Sequence, residues 1–201
     1  MIKECFNNRD FRVLWGAGGM TGIARAMEFL ALSLYALQEL GLPYLVTIIF
    51  AARMLPMSLL GIIIGTISER ISPLLLIKII YSLSNIFTAT SVVLVVTNNF
   101  NVYFAFILAF INGITWVVDL AVRRRVLADN IKKNLLSSSL AMETLSNNAT
   151  RLIGPLCAGS LYAFVGLSGI FCLQLLMYIF ALGLIFRFKN SHFKSGQKSM
   201  L

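Results

Sequence analysis

The sequence predicts an all-α, polytopic membrane protein of six transmembrane helices with both ends in the cytoplasm. Three observations predict it. Hydrophobic residues make up 58% of the 201 residues, mean hydropathy is +0.84 and only 12% of residues are charged. Soluble domains average roughly 45–50% apolar and 25% charged residues. The apolar residues fall in six long runs, and the basic residues gather in alternate breaks between them. A soluble fold of this length buries one core and cannot also hide so much apolar surface. Lipid is the solvent.

Each run suits the ~20 residues that a helix needs to cross a ~30 Å hydrocarbon core, and each far exceeds a barrel strand of roughly ten. The first, 13–37, carries Arg25 and Glu28 in its interior and no small-residue cleavage site, so it reads as a retained helix rather than a signal peptide. Gly18, Gly22 and Ala26 give it a small-residue face for close helix approach. The second, 44–64, carries Arg53. The third, 73–96, carries Lys78, Ser82 and Asn85, and the fourth, 102–120, carries Asn112, Trp116 and Asp119. The fifth, 136–164, has a polar and small-residue stripe of Glu143, Asn147, Arg151, Gly154 and Ala158 on one face. A tight turn at 165–166 leads into the sixth, 167–188. Residues 1–12 and 189–201 are tails on either side of the 13–188 membrane domain.

Orientation follows from charge. Lys3, Arg9, Arg12, Arg70, Arg123, Arg124, Arg125, Lys132, Lys133, Arg187, Lys189, Lys194 and Lys198 all fall in the tails, at the C-terminal end of the sixth run (Arg187), or in the breaks at 68–72 and 123–134. The breaks at 38–43, 97–101 and 165–166 carry no Lys or Arg. The positive-inside rule puts both termini in the cytoplasm, with the inner cell membrane as the expected location. The net charge of +9 is therefore topogenic. No aromatic stacking platform or recognition motif accompanies it, so nucleic acid is not an expected partner. Cys5, Cys157 and Cys172 are widely spaced and form neither a metal-ligand spacing nor a disulfide framework. His192 has no partners in the tail. With no phosphate loop, no HExxH and no nucleophile elbow, neither an enzyme nor a cofactor or metal is expected.

An ionisable residue at the bilayer centre costs roughly 2.5–3.5 kcal/mol and so turns toward a cavity or a partner. At ~1.5 Å per residue, Arg25, Arg53 and Arg151 fall near the midplane, Glu28 slightly outward and Glu143 in the inner third. One reading is a basic cavity for a substrate bearing carboxylate, catecholate or phosphate, with Glu28 and Glu143 as proton-carrying groups. The other is structural: Arg25 and Glu28 neutralise each other, and Arg53 and Arg151 pair across helices. The stripe on the fifth helix turns toward protein. Gly154-Pro155 removes a backbone donor there and invites a bend. Glu69, Arg70, Asp119 and Arg123 to Arg125 sit at the cytoplasmic margin, either as a charge network or as solvated loops.

Several stretches resemble the major facilitator superfamily. Gly65-Thr-Ile-Ser-Glu69-Arg70 is similar to its loop signature Gly-x-x-x-Asp-Arg-x-Gly-Arg-Arg, with Glu69 for the aspartate, Ser72 for the glycine and Pro73-Leu74 for the paired arginines. Asn8-Arg9-Asp10-Phe11-Arg12-Val13-Leu14-Trp15 and Ala51-Ala52-Arg53-Met54-Leu55-Pro56 resemble the first two helices of its bacterial exporters. Arg151-Leu-Ile-Gly154-Pro155-Leu-Cys-Ala158-Gly159 resembles the antiporter signature, with Thr150 and Ala158 where glycine is preferred. Order and spacing look most like the branch of enterobactin exporters and macrolide-efflux proteins.

The resemblance implies half of a major facilitator fold, the N-terminal six helices of twelve, in a proton-coupled exporter of a small organic molecule, an anionic one if the basic cavity holds. It implies a substrate and proton pathway at Arg25, Glu28, Arg53, Glu143, Asn147 and Arg151. It also implies gating or tight packing at Gly65, Glu69, Arg70, Asp119, Gly154, Pro155 and Gly159. The partners are then the lipid bilayer and a second six-helix half or second copy. The rival reading is a repurposed half that binds or scaffolds a partner without transport.

The charge pattern sets a first test. Single cysteines at Ser191 and Asn99 are expected to label from opposite sides of the membrane, and labelling from one side would overturn the topology.

Overall fold

A computed structural model of the chain describes residue 6, residues 9–130 and residues 133–187, with the side chains of residues 10, 60–70, 129, 130, 133 and 134 outside the described set. The tails at 1–5 and 188–201, and with them Cys5 and His192, lie outside it. Every element among the described residues is helical. We label the helices α1 (Arg9–Leu34), α2 (Pro43–Arg70), α3 (Pro73–Val96), α4 (Val102–Asn130) and α5 (Lys133–Phe186). A π-helical turn, Tyr35–Glu39, extends α1. Among the described residues, four spans are long and apolar enough to cross a membrane: Phe11–Glu39, Pro73–Val96, Val102–Ala128 and Leu135–Phe186. Pro43–Leu59, in α2, is a shorter apolar helix within the described side chains.

The six separate helices expected from sequence appear as five, because the fifth and sixth join in α5. Its 54 residues would reach roughly 80 Å if straight, far beyond a ~30 Å core. One residue breaks it: Gly166, at φ 70° and ψ −160°, a conformation essentially confined to glycine. The two limbs then run opposite ways along α1. On the first, Ser146, Thr150 and Gly154 meet Gly19, Gly22 and Ala26, both rising in number. On the second, Leu184 lies by Gly16 while Gln174 bonds Glu28, so numbering falls as that of α1 rises. The chain reverses at Gly166. Pro155 lies inside the helix and no residue near it is non-helical, so Gly154-Pro155 does not break α5.

Other boundaries also move outward. Helix α4 continues to Asn130, ten residues past the expected end, because Val122, Val126 and Leu127 keep an apolar helical face that packs inside. The break expected at 123–134 is thus helical over its first half. Helix α2 likewise runs on through Glu69 and Arg70.

The core has two apolar layers with a polar belt between them. One layer joins Phe11, Leu14, Ile77, Tyr81, Val122 and Ile185. The other joins Met27, Leu32, Tyr35, Ile49, Leu108 and Phe171. Thr21, Arg25, Glu28, Thr88, Asn112, Thr115, Asp119 and Gln174 are buried around the belt. Outside, α3 shows Leu75, Ile79, Ile86 and Val93 on one exposed face, at the spacing of a helix stripe that suits lipid.

The small-residue face on α1 makes a close crossing with α5. A Cβ on Gly154 would collide with Ala26, and the Ile23 carbonyl oxygen would be 2.9 Å away. Backbones this close leave no room for a side chain. Gly154→Leu is expected to cost about 1–3 kcal/mol by overpacking and to lower the melting temperature in detergent. Gly183→Leu, where nothing lies within 4 Å of an added Cβ, is expected to leave it unchanged. Equal effects would show that the crossing is not tight.

Candidate functional site

Four ionisable side chains form a buried ladder of alternating sign. Arg25 Nη2 donates to Asp119 Oδ2 at 2.6 Å, Arg123 Nε lies 3.3 Å from Asp119 Oδ1, and Arg123 Nη2 lies 3.5 Å from Glu143 Oε1. Their exposures are 4%, 0%, 4% and 5% in the order Arg25, Asp119, Arg123, Glu143. Tyr81 Oη donates to Asp119 Oδ1 at 3.0 Å, and Arg25 Nη2 also reaches Thr21 Oγ1 at 3.3 Å. The ladder therefore joins α1, α3, α4 and the first limb of α5. Two cations and two carboxylates sum to no net charge, which is how ionised groups survive burial.

Sequence decides where the ladder goes. The spacing of Asp119 and Arg123 puts both on one face of α4, one turn apart. The guanidinium of Arg123 lies directly on Gly18, in the space a side chain there would take. Among the described residues Arg25 is paired with Asp119 and not with Glu28, so the intrahelical neutralisation considered from sequence does not occur. Asp119 and Arg123, expected at the cytoplasmic margin, do come together, but in the interior. Gly65, Glu69 and Arg70 fall on α2, and their side chains lie outside the described residues.

Glu28 has a different setting. Its Oε2 accepts from Gln174 Nε2 at 2.5 Å, and the Asn112 side chain lies in the same cleft lining. It is 3% exposed, and no cation lies within ion-pair distance of it among the described residues. Beside it is a small cleft lined by Ser84, Thr88, Asn112, Thr115 and Tyr178, with room for roughly one water. A carboxylate held by neutral donors can exchange a proton without breaking an ion pair. Glu143 differs in having a cation at hand: Arg123 Nη2 lies 3.5 Å from its Oε1, and neither of its oxygens has a hydrogen-bond partner.

Arg53 and Arg151 meet at an aromatic ring. The Arg53 guanidinium lies 5.6 Å from the Trp116 ring centre and that of Arg151 lies 5.1 Å from it. Arg53 also lies 5.4 Å from the Phe29 ring and donates through Nη1 to the Arg25 carbonyl oxygen at 3.3 Å. A Cβ on Gly113 would strike the Arg53 backbone carbonyl, so α2 and α4 touch here. Neither arginine has a carboxylate within ion-pair distance among the described residues. Arg53 is half-buried and Arg151 is exposed.

The α5 stripe therefore divides. Glu143, Gly154 and Ala158 are buried, Asn147 and Pro155 are half-buried, and Arg151 and Gly159 are exposed. Steps of four residues drift by roughly 40° each on a 3.6-residue turn, so Arg151 sits at the edge of the stripe, farthest from Glu143. It is exposed on this chain and lies against the Trp116 ring.

Tyr81 and Gln174 are parts of these sites that sequence reasoning missed. Of the two sequence readings of Arg123, a charge network with Asp119 or a solvated loop, the contact with Asp119 favours the first. Gln174 is a lone amide in an otherwise apolar run.

Apolar helices of this length around an ionised core define a multi-pass membrane protein. Residues 4–198 match the model of a major facilitator family described as transmembrane secretion effector. The chain belongs to that family, which makes it a major-facilitator-type membrane transporter. No curated protein matches it.

The ladder sets a ranking of substitutions. Asp119→Asn leaves two buried guanidiniums facing a neutral group and is expected to destabilise the protein by about 3–5 kcal/mol. Glu28→Gln keeps one acceptor oxygen for Gln174, breaks no ion pair, and is expected to cost under about 1.5 kcal/mol. Thermal melts of the two variants in one detergent check this, and the reverse order would refute it.

Proposed function

We propose that the chain exports a small organic molecule in a proton-coupled cycle, with the Arg53–Trp116–Arg151 cluster as its substrate-facing wall and Glu28 as its proton-carrying group. The observation that carries the reading is the contrast between paired and unpaired charge. Arg25, Asp119, Arg123 and Glu143 neutralise one another, whereas among the described residues Arg53 and Arg151 have no carboxylate within ion-pair distance and lie against the Trp116 ring, Arg53 also donating to the Arg25 carbonyl oxygen. Arginine forks bind oxyanions bidentately, so an anionic substrate suits them. Membership of a secretion-effector family supports the export direction, and the motif order favours the enterobactin-exporter and macrolide-efflux branch.

The reading has six crossings of the inner membrane, counting the two limbs of α5 as separate helices because they run in opposite directions along α1. Both termini are then cytoplasmic. A second six-helix unit, a second copy in the simplest case, closes the pathway. In this fold two halves relate by an axis along the membrane normal, with substrate between them. Gly154 fits the antiporter signature through the tight crossing with Ala26.

Two measurements test this. Purified protein in proteoliposomes is expected to export an organic anion under an imposed pH gradient, and Arg151→Gln is expected to lower that rate at least about tenfold, the loss of one charge-assisted contact. Single cysteines at Arg151 on two copies are expected to crosslink in the membrane. Robust export by a demonstrably monomeric chain would refute the need for a second unit, and export indifferent to Arg151 would refute the wall.

A further inference from the structure

We infer that the cleft beside Glu28 is a binding site for one dehydrated sodium ion, held by the Glu28 carboxylate and by neutral oxygens from α3 and α4. The inference goes beyond the proton-carrying role given to Glu28 above. It adds a metal cation as a second occupant of that carboxylate, and it needs neither the substrate wall nor a second six-helix unit.

The lining is rich in acceptors. Glu28 on α1, Ser84 and Thr88 on α3, Asn112 and Thr115 on α4 and Tyr178 on the second limb of α5 meet at one cleft with room for roughly one water. An ionised carboxylate only accepts. Ser84 Oγ donates its proton to the Ile80 carbonyl oxygen at 3.0 Å, and Thr115 Oγ1 donates its proton to the Asn112 carbonyl oxygen at 3.0 Å. Each of these hydroxyls therefore has only lone pairs left to offer the cleft. Asn112 is 4% exposed, and its side-chain oxygen is buried and accepts no hydrogen bond among the described residues. The side-chain oxygen of Gln174, whose Nε2 is bonded to Glu28, is likewise buried without a donor. An acceptor left without a donor in an apolar interior is costly, and a cation in the cleft satisfies those around it.

The donor set selects the ion. A buried carboxylate needs a proton, a cationic side chain or a metal beside it, and among the described residues no cationic side chain lies within ion-pair distance of Glu28. Arg25 is neutralised by Asp119 at 2.6 Å, and Arg53 lies over the Phe29 and Trp116 rings. Carboxylate, amide and hydroxyl oxygens are hard ligands that suit hard cations. One carboxylate balances one positive charge, so a divalent ion would leave net charge buried. Few oxygens around a space no larger than one water favour sodium and lithium over potassium, whose larger shell needs more ligands. A bound ion ties α1, α3 and α4 together at the polar belt, so its occupancy is read as stability.

The test uses the full chain in detergent, with sodium chloride as the ligand and choline chloride keeping ionic strength constant. The melting temperature is expected to rise with sodium and saturate, to rise likewise with lithium, and to rise far less with potassium. Equilibrium dialysis with radioactive sodium is expected to show one saturable site per chain. Glu28→Gln is expected to weaken sodium at least about tenfold, the loss of one charge-assisted contact. Ser84→Ala, which removes one neutral oxygen, is expected to weaken it while melting as wild type does without sodium, and it carries the test if Glu28→Gln fails to fold. Glu39→Gln, at an exposed acidic position, is expected to bind as wild type does, which separates the cleft from surface carboxylates. No saturable sodium binding by folded wild type, equal melting in sodium, potassium and choline, or binding unchanged in both Glu28→Gln and Ser84→Ala overturns the inference. Such a failure leaves the proton role of Glu28 standing, because export driven by a pH gradient in sodium-free proteoliposomes tests that role separately.

Discussion

The packing of this protein depends on the electroneutral ladder of Arg25, Asp119, Arg123 and Glu143. Charges cannot be buried in an apolar core without partners, and each member has one on another helix or one turn away. Asp119, at 0% exposure, is the hub, since it takes both arginines and the Tyr81 hydroxyl. Because those partners come from α1, α3 and α4, and Glu143 extends the ladder to α5, one set of contacts fixes four helices in rotation and height. The apolar layers above and below give packing without such specification, since lipid tails are as apolar as the layers themselves.

Small residues make the ladder possible. The Arg123 guanidinium occupies the space that a side chain at Gly18 would fill, and Gly22 and Gly154 bring the first limb of α5 against α1 near Thr150 and Ala26. The same crossing leaves Arg151 at the rim, beside Trp116. Two kinds of charge result within one bundle. The ladder is electroneutral, although Arg123 Nε and both Glu143 oxygens have no hydrogen-bond partner, while Arg53 and Arg151 lie against aromatic rings and Glu28 against a neutral amide.

Much of this was legible in the sequence. The apolar runs located every helix, and the intramembrane charges marked the belt, because ionisable residues in lipid are costly enough to be informative. Helix ends and pairing were less legible. Arg123 follows two other sequence cues, the close of an apolar run and a triple arginine, that both say loop, while the helical face of Val122, Val126 and Leu127 says otherwise. The choice of Asp119 over Glu28 as the partner of Arg25 depends on how α4 sits against α1, which no local spacing encodes. The reversal at Gly166 was visible as a turn, but its φ of 70°, and the helical hydrogen bonding on either side, were not.

The central claim is that the ladder is a coupled unit rather than a set of independent contacts, and a double-mutant cycle across Arg25 and Asp119 tests it most directly. Arg25→Met, Asp119→Leu and the double variant are compared by chemical or thermal unfolding in one detergent. The account predicts that either single change, which strands a buried charge, costs more than the double change, with a coupling energy on the order of 2–3 kcal/mol. Additive losses would contradict it.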